Sequence, residues 1–312
     1  MSNRVAIVGA GLIGRSWAMV FARSGWEVAL FDPVEGAAEA SLAACREGLL
    51  NLEANGLCDD AAAAFSRIAL APSLEAVVDG ARHVQENAPE KLDLKREIFA
   101  ALDGVTAPDA VIASSTSGFR CSLLSEGLAG RHRCIVAHPA NPPHLLPVVE
   151  IAPAPWTLPE VVATTRATFE GIGSAPVSVL KEIDGFILNR LQAALLTEAF
   201  DLVAKGYVTP QDLDRTISDG LGLRWSFLGP FQAIELNAPG GVADYCARYG
   251  RLLAGVAAQS AGAAAWSDEA MAKVVAAWGP APAPEEHHRR TEERDRRLAA
   301  LAAHRREQTK RS

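Results

Sequence analysis

The stretch Val5-Ala-Ile-Val-Gly9-Ala-Gly11-Leu12-Ile13-Gly14 constrains this chain more than any other. An apolar run over Val5–Val8, read as a strand, passes directly into the glycine pattern GxGxxG. Helical apolar spacing follows at once over Leu12–Arg23. Glycines at these intervals solve separate steric problems. Gly9 permits a tight turn, Gly11 lets a pyrophosphate approach the backbone, and Gly14 lets helix and strand pack closely. Phosphates would then lie at a helix N-terminus, where free N–H groups and the positive end of the helix dipole favour anions.

A second strand, Trp26–Phe31, ends at Asp32, eighteen residues after Gly14. A carboxylate there accepts hydrogen bonds from the adenosine ribose hydroxyls and repels a 2′-phosphate. The following Pro33 and Val34 supply no cation. The pattern predicts an NAD site rather than an NADP site. Its cofactor-binding residues are Gly9, Gly11, Leu12, Ile13, Gly14 and Asp32. FAD shares the fingerprint and stays open at this point.

Strand and helix patterns then alternate. Strands are expected at Arg67–Ala71, Arg82–Glu86, Ala110–Ser114, Cys134–Ala137, Pro147–Ile151 and Ala175–Val179. Helices are expected at Gly36–Asn55, Glu90–Leu102 and Pro159–Gly171. Alternation of this kind predicts an α/β fold, a Rossmann-type doubly wound and mostly parallel sheet. Past Lys181 only helical spacing is read, at Gly185–Lys205, Pro210–Leu221, Gly241–Ala258 and Ser267–Trp278. The expected organisation is a nucleotide-binding domain over residues 1–182 and a smaller all-helical domain over residues 183–312. Pro280–Pro284 is a stiff spacer before a charged, solvated final helix.

Composition excludes several classes of function. The net charge of −7 disfavours binding to nucleic acid or to an anionic membrane. No apolar run reaches the ~20 residues of a membrane helix. The first residues lack a basic segment followed by a long apolar one, so no signal peptide is expected. The cysteines, 45, 58, 121, 134 and 246, are odd in number and form no CxxC pair. That spacing suggests neither a metal site nor a disulfide framework and fits a reducing cytoplasm.

A set of polar residues lies behind the glycine turn. His138 ends the apolar run Cys134-Ile-Val-Ala-His138, and Glu150 follows in Val148-Val-Glu-Ile151. If the strands are neighbours, the carboxylate meets the imidazole. An imidazole, with its ordinary pKa of ~6.5, suits a general base, and a carboxylate partner fixes its tautomer. Ser117 lies just past a strand end, where ligands bind in open α/β sheets. Asn189 begins the first helix after the expected boundary.

Together these segments resemble the L-3-hydroxyacyl-CoA dehydrogenase family, in particular its lambda-crystallin / L-gulonate 3-dehydrogenase branch. The motifs that carry the resemblance are Gly11–Ala18, Ala113–Ser117, Ile135–Pro143 and Gly185–Gln192. Gly220–Pro230 followed by Leu236-Asn-Ala238 carries the branch. The resemblance implies NAD-dependent oxidation of a secondary alcohol. His138 would be the base and Glu150 its partner, while Ser117 and Asn189 would hydrogen-bond the reacting oxygen or its neighbours. It further implies that Glu90 and Lys95 contact NAD, and that the protein is a homodimer assembled through its helical domain.

The substrate is narrowed by charge. Coenzyme A carries phosphates that call for Lys or Arg. Gly36–Gly80 holds two basic residues, Arg46 and Arg67, against seven acidic ones, a net of 2 − 7 = −5. This favours a free L-3-hydroxy acid, L-gulonate first, with Arg224 holding its carboxylate and Arg120 a weaker candidate. Three alternatives stay open: an acyl-CoA substrate; L-carnitine, with Trp225, Phe227 and Tyr245 as a cation cage; and a non-catalytic crystallin-like role.

Overall fold

The computed structural model describes residues 3–311, with side chains through residue 308. Two compact units are present. One runs to Asn189 and takes up the chain again from Arg290; the other is Arg190–Arg289.

The first unit is built on a sheet of β1 (Arg4–Val8), β2 (Glu27–Phe31), β3 (Ile68–Leu70), β4 (His83–Glu86), β5 (Val111–Ser114), β6 (Cys134–Pro139), β7 (Val148–Pro153) and β8 (Ala175–Ser178). Its strand order is β3-β2-β1-β4-β5-β6-β7-β8. Strand order reverses between β1 and β4, which opens a crevice at their carboxyl ends, the usual ligand position in such sheets. Among the described residues, neighbouring strands are parallel except β6 and β7, which are antiparallel. The reversal has a simple cause. The link over residues 140–147 is shorter than the dozen or so residues that a parallel crossover needs.

Helices cover both faces: α1 (Leu12–Arg23), α2 (Ala37–Ala54), α3 (Ala61–Ser66), α4 (Leu74–Val78), α5 (Leu92–Val105), α6 (Cys121–Ser125) and α7 (Pro159–Gly171). The period-two alternation of strands divides the core. Val5, Ile7, Ile135 and Ala137 pack with α1, α2 and α7 residues such as Trp17, Leu49 and Phe169. Ala6, Val8, Cys134 and Val136 pack on the other face with Val77, Phe99 and Leu124. The short helices α3, α4 and α6 were not expected, because five or six residues show no helical period. Local caps mark two of them: Asp60 accepts from the Ala63 amide and Ser73 from the Ala76 amide.

The second unit is helical and has no strand among its described residues. It comprises α8 (Leu188–Ala204, which begins in the first unit), α9 (Pro210–Arg215), α10 (Gly222–Trp225), α11 (Pro230–Asn237), α12 (Gly241–Ala257) and α13 (Asp268–Trp278). The helix expected over Pro210–Leu221 is regular only to Arg215. It widens into a π-helix over Thr216–Leu221 and continues as α10. Gly222 suits that join, since a Cβ there would lie 2.8 Å from the Ile217 carbonyl oxygen.

The last helix, α14 (Pro284–Arg311), is not solvated on every side. Ala299 is buried and Leu298 packs beside it, both in the first unit's core. This apolar stripe places residues 290 onward with the nucleotide-binding unit, unlike the expected grouping of residues 183–312. On its exposed side, Glu293 pairs with Arg297 at 2.7 Å, a helix-surface ion pair.

Candidate active site

The glycine turn sits at the mouth of the crevice. Gly9 has φ +89°, and a Cβ on Gly14 would lie 1.9 Å from the Gly9 carbonyl oxygen. The turn therefore closes only with these residues. At Gly11, the N-cap of α1, an added Cβ meets nothing within 4 Å, so open space lies over the helix N-terminus. The first-turn amides, those of Leu12 and Ile13 included, have no carbonyl partner within a helix. Asp32 is tied into the same turn. Its Oδ2 accepts from the Ala10 amide at 2.7 Å and its Oδ1 from the Val34 amide at 2.9 Å. An anion cradle beside a fixed carboxylate fits a dinucleotide with a free ribose 2′-hydroxyl.

His138 and Glu150 face each other in the β6–β7 register. His138 Nδ1 lies 2.9 Å from Glu150 Oε2, and both residues are buried. Glu150 Oε1 accepts two further bonds, from the amides of Ile187 (2.7 Å) and Leu188 (2.9 Å) at the start of α8. Burial opposes ionisation of this carboxyl. The His138 hydrogen bond and the two amides outweigh it and hold its pKa below the usual carboxylate range. An ionised Glu150 accepts from Nδ1–H, which leaves Nε2 of a neutral ring as the acceptor. Gly185 and Phe186 have φ of +75° and +48°, and this turn aims the two amides. Phe186 is fully buried against the His138 ring, with centroids 5.3 Å apart. That contact retains a bulky residue in a strained conformation.

Ser117 is exposed on the turn after β5. Its carbonyl accepts from Asn189 Nδ2 at 2.9 Å, so these two expected residues meet. Glu90 clasps the same turn: its Oε1 accepts from Thr116 Oγ1 (2.5 Å), the Ser117 amide (3.1 Å) and the Gly118 amide (2.8 Å). Lys95 differs from expectation. It is 1% exposed, and its ammonium is engaged inside the protein by Glu86 and the Ala88 carbonyl. Glu86 and this internal role were not read from the sequence. Arg224 lies in the second unit on α10, exposed, with no ion pair among the described residues. Arg120 lies 2.9 Å from Asp184 and is committed to that carboxylate.

Residues 4–183 match the family described as 3-hydroxyacyl-CoA dehydrogenase, NAD binding domain, and residues 185–277 match its C-terminal domain. The chain belongs to the 3-hydroxyacyl-CoA dehydrogenase family. It is 47% identical to lambda-crystallin of Oryctolagus cuniculus over 78% of this chain and 77% of that one. It is 40% identical to L-carnitine dehydrogenase of Streptomyces coelicolor, over 80% and 78%. Among solved structures it resembles 5-formyl-3-hydroxy-2-methylpyridine 4-carboxylic acid 5-dehydrogenase, an NAD+-dependent dismutase. The TM-score is 0.81 at 29% identity, covering 96% of this chain and 97% of that one.

As a member of this dehydrogenase family, the protein is an NAD-dependent oxidoreductase acting on a CH–OH group. Among the described residues no helix is long and apolar enough to cross a membrane.

Proposed function

We propose that this dehydrogenase oxidises the secondary alcohol of a small, free L-3-hydroxy acid, and that L-gulonate is that acid. One observation carries the choice against a coenzyme A ester. Glu39, Glu47, Glu53, Asp59, Asp60, Glu75 and Asp79 are all solvent-exposed along the Gly36–Gly80 segment, the first five around α2 and α3 and the last two on α4 across the sheet. Its basic residues are engaged: Arg46 lies over the Phe65 ring at 5.9 Å, and Arg67 donates to the Ala22 carbonyl. Arg306, brought beside the end of α2 by α14, donates to the Gly56 carbonyl. A segment of this charge repels the 3′-phosphate and pyrophosphate of coenzyme A. Relatives named lambda-crystallin support the choice of branch.

In this reading His138 Nε2 takes the hydroxyl proton, and Glu150 orients the ring and stabilises the imidazolium that forms. The Ser117 hydroxyl and the Asn189 amide hydrogen-bond the reacting oxygen and its neighbours. NAD, when bound, would supply the hydride acceptor. Gly9, Gly11, Leu12, Ile13, Gly14, Asp32 and Glu90 would hold that cofactor, with Lys95 supporting Glu90 from inside. Arg224 recognises the substrate carboxylate bidentately. The second unit dimerises: Leu223, Phe227, Phe231 and Leu236 are each more than half exposed, an unusual apolar load for a monomer. A fully active monomer in light scattering would overturn the dimer.

A second reading has its own observation. Trp225 and Phe227 are exposed beside Arg224, aromatic surface of the kind that binds a quaternary ammonium, as in L-carnitine. A purely structural role fits poorly, because a buried His–Glu pair costs desolvation that a scaffold has no reason to bear.

The deciding experiment is NADH formation with L-gulonate, L-carnitine, free 3-hydroxybutyrate and L-3-hydroxybutyryl-CoA, with His138→Ala as control. Turnover of L-gulonate with none on the ester supports the proposal. Preference for the ester, or for carnitine, replaces it.

A further inference from the structure

Glu86 is 0% exposed, and nothing in the chemistry above uses it. Its two oxygens are nonetheless fully engaged. Oε1 accepts from Lys95 Nζ at 2.9 Å and from the Ala88 amide at 2.6 Å. Oε2 accepts from Ser114 Oγ at 2.5 Å and from Lys95 Nζ at 3.1 Å. A buried ion pair of this kind is a poor stability device, since apolar residues of the same volume usually serve as well. Its contacts give a better account of it.

Two routes lead from Glu86 to the turn that carries Ser117. By the first, Ser114 donates to Glu86 and its Oγ accepts from the Thr116 amide at 3.1 Å. By the second, the Lys95 ammonium lies between Glu86 and Glu90, 3.6 Å from Glu90 Oε2. Glu90 Oε1 in turn takes the Thr116 hydroxyl and the Ser117 and Gly118 amides. Glu90 is an exposed carboxylate on a loop, and alone it would sample many rotamers. The ammonium behind it removes that freedom. Lys95 would in turn be an unpaired buried charge without Glu86.

We propose that Glu86 is a positioning residue, which through Lys95–Glu90 and through Ser114 sets the Ser117 turn against the reacting oxygen. The inference rests on the reading that Ser117 contacts that oxygen. It predicts a loss in kcat that works through Ser117.

The test is a double-mutant cycle between Glu86→Gln and Ser117→Ala. Steady-state kcat and KM are measured with NAD and the acid that turns over, and NAD affinity by quenching of intrinsic fluorescence. Displacing a positioned group by about an ångström costs up to ~10²-fold, so Glu86→Gln is expected to lower kcat by ~10–100-fold. Any fall in NAD affinity through Glu90 is separated from kcat by measuring at saturating NAD, and in the Ser117→Ala background Glu86→Gln should cost little more in kcat, because interacting sites are non-additive. The same fold-loss in both backgrounds overturns the positioning role while leaving Ser117 in place. A Ser117→Ala enzyme with full activity overturns the Ser117 reading and this inference with it. Should Glu86→Gln not fold, Glu86→Gln/Lys95→Met, which removes both charges, enters the same cycle. If that protein does not fold either, the pair holds the fold itself and the proposal is wrong.

Discussion

Replacing Glu150 by glutamine isolates the tautomer of His138 from the stability of the fold. The wild-type carboxylate accepts from His138 Nδ1 on one oxygen and from the Ile187 and Leu188 amides on the other. Backbone amides only donate, so they hold the carbonyl oxygen of the new side-chain amide on their side. Its NH₂ group then faces His138, and Nδ1 must accept. The ring proton moves to Nε2, the atom proposed to take the substrate's proton. The number of hydrogen bonds is conserved, so the variant should fold, with a stability change of about 1–2 kcal/mol. Catalysis should suffer far more. A wrong tautomer imposed in the same way on a serine-protease histidine costs ~10⁴ in kcat, about 5 kcal/mol of barrier. The expectation for Glu150→Gln is a kcat loss of ~10³–10⁴ with NAD affinity and melting temperature near wild type. Glu150→Ala is the less informative variant, because it strands two buried amides and the imidazole at ~1–3 kcal/mol each. A folded Glu150→Gln enzyme within tenfold of wild-type kcat would refute both the tautomer argument and the assignment of His138 Nε2 as base.

Three further outcomes are expected. Asp32→Ala removes the acceptor for the Ala10 and Val34 amides as well as the ribose partner, so NAD affinity should fall and NADP discrimination relax; an unchanged NAD/NADP preference in binding titrations would contradict its role. Gly14→Ala drives a methyl to within 1.9 Å of the Gly9 carbonyl, so the turn must open. Chemical denaturation should show a loss of ~1–3 kcal/mol, together with weaker NAD binding, and a variant that binds NAD normally would sink the packing account. Burial pushes His83 down to about 4 against the pull of its Gln85 bond, so the unfolded chain binds a proton here that the folded one refuses. Stability should therefore be flat above the ordinary histidine pKa and fall between about pH 6.5 and 4, by on the order of 3 kcal/mol for this group. His83→Gln should flatten the slope measured in urea across that window; an unchanged slope would exclude His83 as its source.

The doubly wound sheet was legible because its signals are local. An apolar run of four or five residues followed by glycine, or by a helical period, announces a buried parallel strand wherever it occurs, and β1, β2, β5 and β6 all read this way. The reversal of β7 against β6 is written only in the brevity of residues 140–147. What stayed hidden depends on distance in sequence. The docking of Leu298 and Ala299 on a core formed by residues far upstream has no local mark, since a charged helix with one short apolar stripe reads as solvated. The π-helix over Thr216–Leu221 is likewise invisible to a pattern search tuned to 3.6 residues per turn.

The site divides along the same line. His138 and Glu150 are twelve residues apart on consecutive strands, close enough for their pairing to be reasoned from the loop between them. Ser117 and Asn189 were named by resemblance, and their contact joins positions seventy-two residues apart. Lys95 shows the limit most clearly. Read alone it is a helix-surface charge, and read by resemblance it is a cofactor contact. The fold instead brings α5 over the end of β4 and encloses the ammonium between Glu86 and Glu90. An ammonium cannot be enclosed without an opposing carboxylate, so burial of Lys95 required a buried acid nearby. Glu86, ending the strand Arg82–Glu86, was the one acid in that strand. The partner could have been inferred from the physics of charge burial once Lys95 was known to face inward. Its inward orientation is what only the tertiary structure supplies.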